Sequence, residues 1–229
     1  MAPHLNLGRL LGVAMLVTFV IGLLSNFKLQ DDLFNDGGLL VNAAAHPLKI
    51  GLICVLGMAS SLLSLWVATL LTRAFGKSSG GILYFYVAVL AAGLALSLLE
   101  FATLLGFREV SEFYRASPET QRSAIEASSR VLAGLRDGIH FVDKILGGFS
   151  VVLLFCFLLG SRLLPVWLCL LGIMGASLQM IAVGRALFGG EVAYVMLAPL
   201  SLVFIVTMGW LLVAGFRVPL ASSATRTKE

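Results

Sequence analysis

Six apolar runs, each about as long as a membrane is thick, constrain this chain more than any other feature of it. They cover roughly residues 7–27, 48–75, 81–107, 139–159, 163–187 and 192–216. An α-helix rises ~1.5 Å per residue and the hydrocarbon core of a bilayer is ~30 Å thick, so about 20 apolar residues suffice to cross it. Lipid offers the backbone no hydrogen-bond partner, which leaves only helices or closed barrels as spanning structures. Barrel strands are short and alternate in polarity, whereas these runs are continuous. They predict an all-α integral membrane bundle of about six transmembrane helices. Composition agrees: of 229 residues only 12% are charged and 59% are hydrophobic, against ~25% charged in a water-soluble domain. The mean hydropathy is +0.99. Residues 1–229 read as a single polytopic domain whose tail, 217–229, is expected to be flexible. The first run follows Arg9 and has no small-x-small cleavage site close behind it, so it is expected to be a retained helix.

Loop charges orient the bundle. Arg9, Arg73, Lys77, Arg162, Arg217, Arg226 and Lys228 fall at one end of the predicted spans, opposed there only by Glu229, and Asp31, Asp32, Asp36, Glu109, Glu112, Glu119, Glu126 and Glu191, mixed with several Arg, at the other. The positive-inside rule then puts both termini of this multi-pass protein in the cytoplasm. Tyr84, Tyr86, Trp167 and Trp210 fall near the expected inner boundary and Tyr194 near the outer one, where amphipathic rings prefer the headgroup zone. The net charge of +4 does not indicate nucleic acid, because the basic residues are scattered singly. The lipid bilayer is the expected partner.

Two non-cytoplasmic loops are long. The first, 28–47, is expected to form a brief helix on the membrane surface. In the second, 108–138, Ser117-Pro118 is a good helix start. Beyond it Ile125, Val131, Leu132 and Leu135 set an apolar stripe against a charged one of Glu119, Arg122, Glu126 and Arg130. This predicts an amphipathic helix that caps the bundle, lies on the outer leaflet or covers a site.

Charge inside a bilayer is costly and therefore informative. Glu100 lies in the third span, His140, Asp143 and Lys144 in the first turns of the fourth, and Arg185 near the outer end of the fifth. Lys49 begins the second. All map to the outer third of the membrane although the helices alternate in direction. On the fourth span Arg136, His140, Asp143 and Gly147 share one face. Glu100, His140, Asp143, Lys144 and Arg185 are thus candidates to line one polar pocket. An ion-paired plug, with Glu100 satisfied by Lys144 or Arg185, accounts for the same residues.

A metal centre is not expected. His4 belongs to the opposite side from His140 and His46, so three histidines do not meet, and Cys54, Cys156 and Cys169 sit singly in apolar runs. No HExxH, GxSxG or Gly-rich phosphate loop is present, and no motif identifies a cofactor. Gly8 and Gly12, Gly93 and Ser97, and Gly172 and Ala176 are pairs four apart that let helices approach closely. Gln179 is expected to hydrogen-bond across the bundle.

Three passages carry a family resemblance. One is Gly8-Arg9-Leu10-Leu11-Gly12 leading into the first span; another is Lys49-Ile50-Gly51-Leu52 opening the second. The third runs from Gly138-Ile139-His140 through Gly147-Gly148-Phe149 and Leu159-Gly160 to Leu164-Pro165-Val166-Trp167-Leu168 and Gly172. In these the chain resembles a bacterial membrane-protein family catalogued as domain of unknown function 4386. The resemblance implies a six-helix bacterial inner-membrane protein and supplies no substrate or catalytic residue; Glu100 and Lys144 depart from the family pattern. Three classes of function follow. One is a non-enzymatic protein that binds a small polar ligand or lipid headgroup in an outer-leaflet pocket. Another is a transporter of a small solute or protons. The third is an intramembrane enzyme acting on a lipid or quinone-like substrate. Against a through-path, the inner half offers little polar beyond Gln179, Ser177 and the cysteines.

Overall fold

The computed structural model describes residues 3–217, and every regular element among them is helical. Helix α1 (Pro3–Leu24) runs into a π-helical turn, Ser25–Leu29. Two short helices, α2 (Asp31–Phe34) and α3 (Gly38–Asn42), and a 3-10 turn, Ala43–Ala45, lead to α4 (Pro47–Phe75). Then come α5 (Ile82–Ala116), α6 (Glu119–Gly160) and α7 (Val166–Leu187). A second 3-10 turn, Tyr194–Leu197, opens into α8 (Ala198–Ala214). Six stretches are long and apolar enough to cross a membrane: Leu5–Leu29, α4, α5, α6, α7 and Tyr194–Ala214. These are the six expected spans. The tail expected to be flexible lies, from residue 218 onward, outside the described residues.

The spans form a ring. Helix α1 packs on α4, α4 on α5, α5 on α6, α6 on α7, α7 on α8, and α8 closes back on α1. Small residues make the closure possible. A Cβ on Gly8 would collide with the backbone of Gly215 and Phe216, and one on Gly12 would lie 2.9 Å from Leu211 Cβ. Arg9 Nη2 donates to Val213 O at 3.3 Å across the same seam. Gly172 of α7 is likewise covered by the Phe155 ring of α6. Backbones this close gain dispersion contacts, the main attraction left between helices in an apolar solvent.

The interior and exterior are both apolar. Trp66 (52% exposed), Met174 (61%), Leu202 (65%) and Val213 (78%) point outward from three different spans. So much exposed apolar surface exceeds what a soluble monomer tolerates and suits lipid. At the end of the ring that carries the termini the centre is solid. Leu71, Leu83, Phe155, Phe157, Leu158, Leu168 and Leu211 are fully buried there, and Phe75 lies 5.6 Å from Phe157 and 6.1 Å from Phe216, ring to ring. Tyr86 belongs to this core, not to the interfacial belt, because its helix turns it inward. Two tight turns close this end. Gly80 and Gly81, at φ +59° and +90°, reverse the chain between α4 and α5. Between α6 and α7, Arg162 takes φ +53° while Leu163 N bonds to Leu158 O at 3.0 Å, a left-handed helix stop made here without glycine.

The opposite end rises above the ring. Gln179 of α7 contacts Lys144 of α6, and α7 ends at Leu187. By helix geometry the first 16 or so residues of α6 therefore stand beyond the end of α7, a projection of ~25 Å. Helix α5 accompanies it. The amphipathic stretch expected after Ser117-Pro118 is helical, but it is the outer part of one helix with the fourth span, passing through Gly134 and Gly138 without a break. Ser117 does not cap it: its hydroxyl donates back to Phe113 O at 2.8 Å. At the tip Tyr114 donates to Glu126 Oε1 at 3.1 Å, with Arg122 over its ring at 5.3 Å. The loop expected on the membrane surface packs instead on this hairpin. Leu33, Leu39 and Ala43 join Ile50, Ile53, Cys54, Leu104 and Phe107 in a second apolar core. Ala44 N donates to Ser111 Oγ at 3.0 Å, and Asp32 pairs with Lys49.

Candidate functional site

Where the ring meets the projecting hairpin, its centre opens into a cavity of about 240 Å³. Helix α1 and its π-turn contribute Thr18, Ser25 and Asn26, α4 contributes Gly57, Ser60 and Ser61, and Phe34 of α2 overhangs them. The charged wall comes from α5 and α6. Glu100 Oε1 accepts from Arg136 Nη2 at 3.3 Å and lies 3.0 Å from His140 Nδ1. Both partners lie on one α6 face, a turn apart, so a single carboxylate oxygen spans them. Arg136 also reaches Asp137 Oδ1 at 3.6 Å and sets its guanidinium 5.1 Å from the Phe34 ring centre. One turn inward, Asp143 takes a hydrogen bond from Ser97 Oγ at 3.3 Å through Oδ1 and from Lys144 Nζ at 3.2 Å through Oδ2.

These charges are largely withdrawn from solvent. The side chains of Arg136, Glu100 and Asp143 are 11%, 14% and 15% exposed, while that of Lys144 is 45% exposed. Burial of paired charges costs several kcal/mol per ion unless the partners meet in good geometry, on the order of 3 kcal/mol even by insertion scales. The pairing of Glu100 with Arg136 and His140 meets that condition. One arginine atom stays unanswered in this region: Arg136 Nε has no hydrogen-bond partner among the described residues.

A second chamber of about 190 Å³ adjoins the first on its inner side and shares Ser60, Ser61, Ser97, Asp143 and Lys144 with it. Ser64, Ser150 and Gln179 extend the polar lining, Gly93 and Gly147 leave it open, and Val89, Leu90, Leu94 and Leu146 complete it. Val89 is itself part of the apolar core, so the chamber ends where the solid half of the ring begins. The two chambers together make a blind cup.

Of the five residues expected to line one pocket, Glu100, His140, Asp143 and Lys144 line this cup. Arg185 does not. It is exposed on the last turn of α7, near the depth of His140 but turned to another side, and α7 reaches the cup through Gln179. Nor is Glu100 satisfied by Lys144 or Arg185; Arg136 takes that place because it sits one turn from His140 on the same face. The serines of α4 were not anticipated, and their only signal is the crowding of Ser60, Ser61 and Ser64 within an otherwise apolar span. Gln179 does bond across the bundle, donating to Lys144 O at 3.3 Å. Among the described residues no three His, Cys, Asp or Glu side chains converge to hold a metal ion, and Cys54, Cys156 and Cys169 are free thiols. A wider hollow of about 1000 Å³ over Asp32, Asp36, Asn42 and His46 is a surface depression of the loop.

A family model described as a domain of unknown function (DUF4386) matches residues 10–215, which takes in every span and the whole of the cup. No curated protein and no solved structure matches the chain.

Proposed function

The chain belongs to the DUF4386 family, and from that premise we propose that its helical ring is a receptor-like binder, holding a small polar ligand or a lipid headgroup in the cup. The carrying observation is the convergence of Glu100, Arg136, His140, Asp143 and Lys144 on one cavity of about 240 Å³ at the level where the ring ends. Structural ion pairs fill the space between helices; these leave it hollow. The volume is at the small end for ligand sites, which run from ~300 Å³ upward, and suits a compact polar molecule or the headgroup of a larger one. In this proposal the protein sits in the bacterial inner membrane with both termini cytoplasmic and the cup opens outward, supported by the short loops at the termini end, whose Arg and Lys are opposed only by Glu229, while at the other end Arg and Lys are mixed with Asp and Glu.

Native mass spectrometry of the chain released from lipid nanodiscs tests the proposal. A small adduct or a single tightly held lipid is expected on the wild-type protein and is expected to be lost from the folded Glu100→Gln variant. An adduct spectrum identical in the two proteins would refute it.

Transport is the second reading, and the inner chamber favours it, since a polar lining that continues toward mid-membrane is what a permeating solute needs. The solid core beyond Val89 argues for binding first, with any passage requiring that core to part.

A further inference from the structure

We infer that the inner chamber is the seat of a small organic cation, an alkylammonium of a few carbons, gripped by the Asp143 carboxylate and a set of serine oxygens. The inference rests on the binding role proposed above and names its ligand class. It follows from where the protons of the chamber wall are already committed. Ser64 Oγ donates to Ser60 O at 3.0 Å and Ser150 Oγ to Gly147 O at 2.7 Å. Each hydroxyl has one proton, so what these two turn toward the chamber are acceptor lone pairs. Ser97 spends its proton on Asp143 Oδ1 at 3.3 Å. Gln179 directs one amide N–H to Lys144 O at 3.3 Å, and its carbonyl oxygen stays available as an acceptor. The Ser60 and Ser61 hydroxyls, which line the same chamber, can turn a lone pair toward a donor, and oxygens gathered around a carboxylate ask for a donor-rich, positively charged guest.

The chain already shows such a guest. The Lys144 ammonium, on its long alkyl stem, lines both chambers and sits 3.2 Å from Asp143 Oδ2. It is a tethered alkylammonium that a free one would replace. Its side chain is 45% exposed, and swinging a flexible four-carbon stem outward costs little. The alkyl portion of a free ligand meets Leu90, Leu94 and Leu146. An anion fits poorly, because Arg136 is already engaged by Glu100 and Asp137 in the outer chamber.

Three probes of one size separate the chemistries: propylammonium, propionate and 1-propanol, each titrated by calorimetry into the full chain in lipid nanodiscs. Propylammonium is expected to bind about tenfold or more tightly than the other two, the worth of one charged hydrogen bond. Asp143→Asn should remove that preference. Lys144→Met, which takes away the tethered competitor, should tighten propylammonium binding severalfold. Gly93→Ala, whose methyl would lie 4.0 Å from Asp143 Oδ1 in ordinary contact, should fold normally and weaken it; these last two variants carry the test if Asp143→Asn does not fold. Binding left unchanged or weakened by Lys144→Met overturns the inference. So does preferred binding of propionate or propanol, which, if lost in Glu100→Gln, leaves the binding role standing. If none of the probes binds while a native adduct is present, the cation alone is ruled out; if there is neither, both proposals fall.

Discussion

Glu100 offers a single oxygen, Oε1, to two α6 side chains, Arg136 at 3.3 Å and His140 at 3.0 Å, and the energetics of the cup's mouth hang on that sharing. Removing one member strands the other's charge in a poorly solvated place. Glu100→Gln is therefore expected to destabilise the protein by about 3 kcal/mol, while Glu100→Gln with Arg136→Met together recovers much of the loss, because nothing buried is left unpaired. Unfolding followed in detergent measures both. Penalties that simply add would show that the pair is not coupled. The depth of these residues was legible in the sequence, since depth depends only on how many residues separate a charge from the end of its span. Their direction around the helix axis was not. Arg185 shares the depth of His140 yet faces away, and Arg136 was placed on the right face without being chosen as the partner of Glu100.

Helix α6 shows the same limit over a longer stretch. Its inward row beyond the ring is Ile125, Ser129, Leu132 and Arg136, spaced four, three and four apart along the helix; Leu132 is half-buried and the other three are buried, while Val131 and Leu135 are exposed. Two of the four seam positions are polar, so hydrophobicity alone picks out the wrong stripe. Gly134 and Gly138 each lower helix propensity by ~1 kcal/mol relative to alanine and suggest a break. Packing on α5 outweighs them and keeps all 42 residues in one helix. The expected consequence is a long distance. Spin labels at Gln121→Cys and Gly160→Cys, in a chain freed of its own cysteines, should lie about 58 Å apart by helix rise. A separation near 40 Å would mean that the outer segment folds over onto the membrane.

Across the whole molecule polarity is divided along the ring axis, hollow and polar at the hairpin end, solid and apolar at the other. Cysteine placed at Ser61 or Ser97 should react with a small, charged, membrane-impermeant thiol reagent supplied from outside the cell, whereas cysteine at Leu71 or Val67 should resist it from either side. Labelling of Ser97→Cys only from the cytoplasmic side would invert the proposed orientation. The six spans could be read from the chain because hydrocarbon imposes one requirement, enough apolar length, that each segment meets by itself. The ring order and the serine wall of the cup could not, because they depend on which faces meet. The glycine seam between α1 and α8 carries a consequence for biosynthesis. Gly12 and its neighbour Leu211 are separated by nearly the whole polypeptide, and at ~5–20 residues per second a ribosome needs roughly 10–40 s to travel between them. During that interval the glycine face of α1 waits against lipid or a chaperone of the insertion machinery, and the ring is sealed only after translation has delivered its final helix.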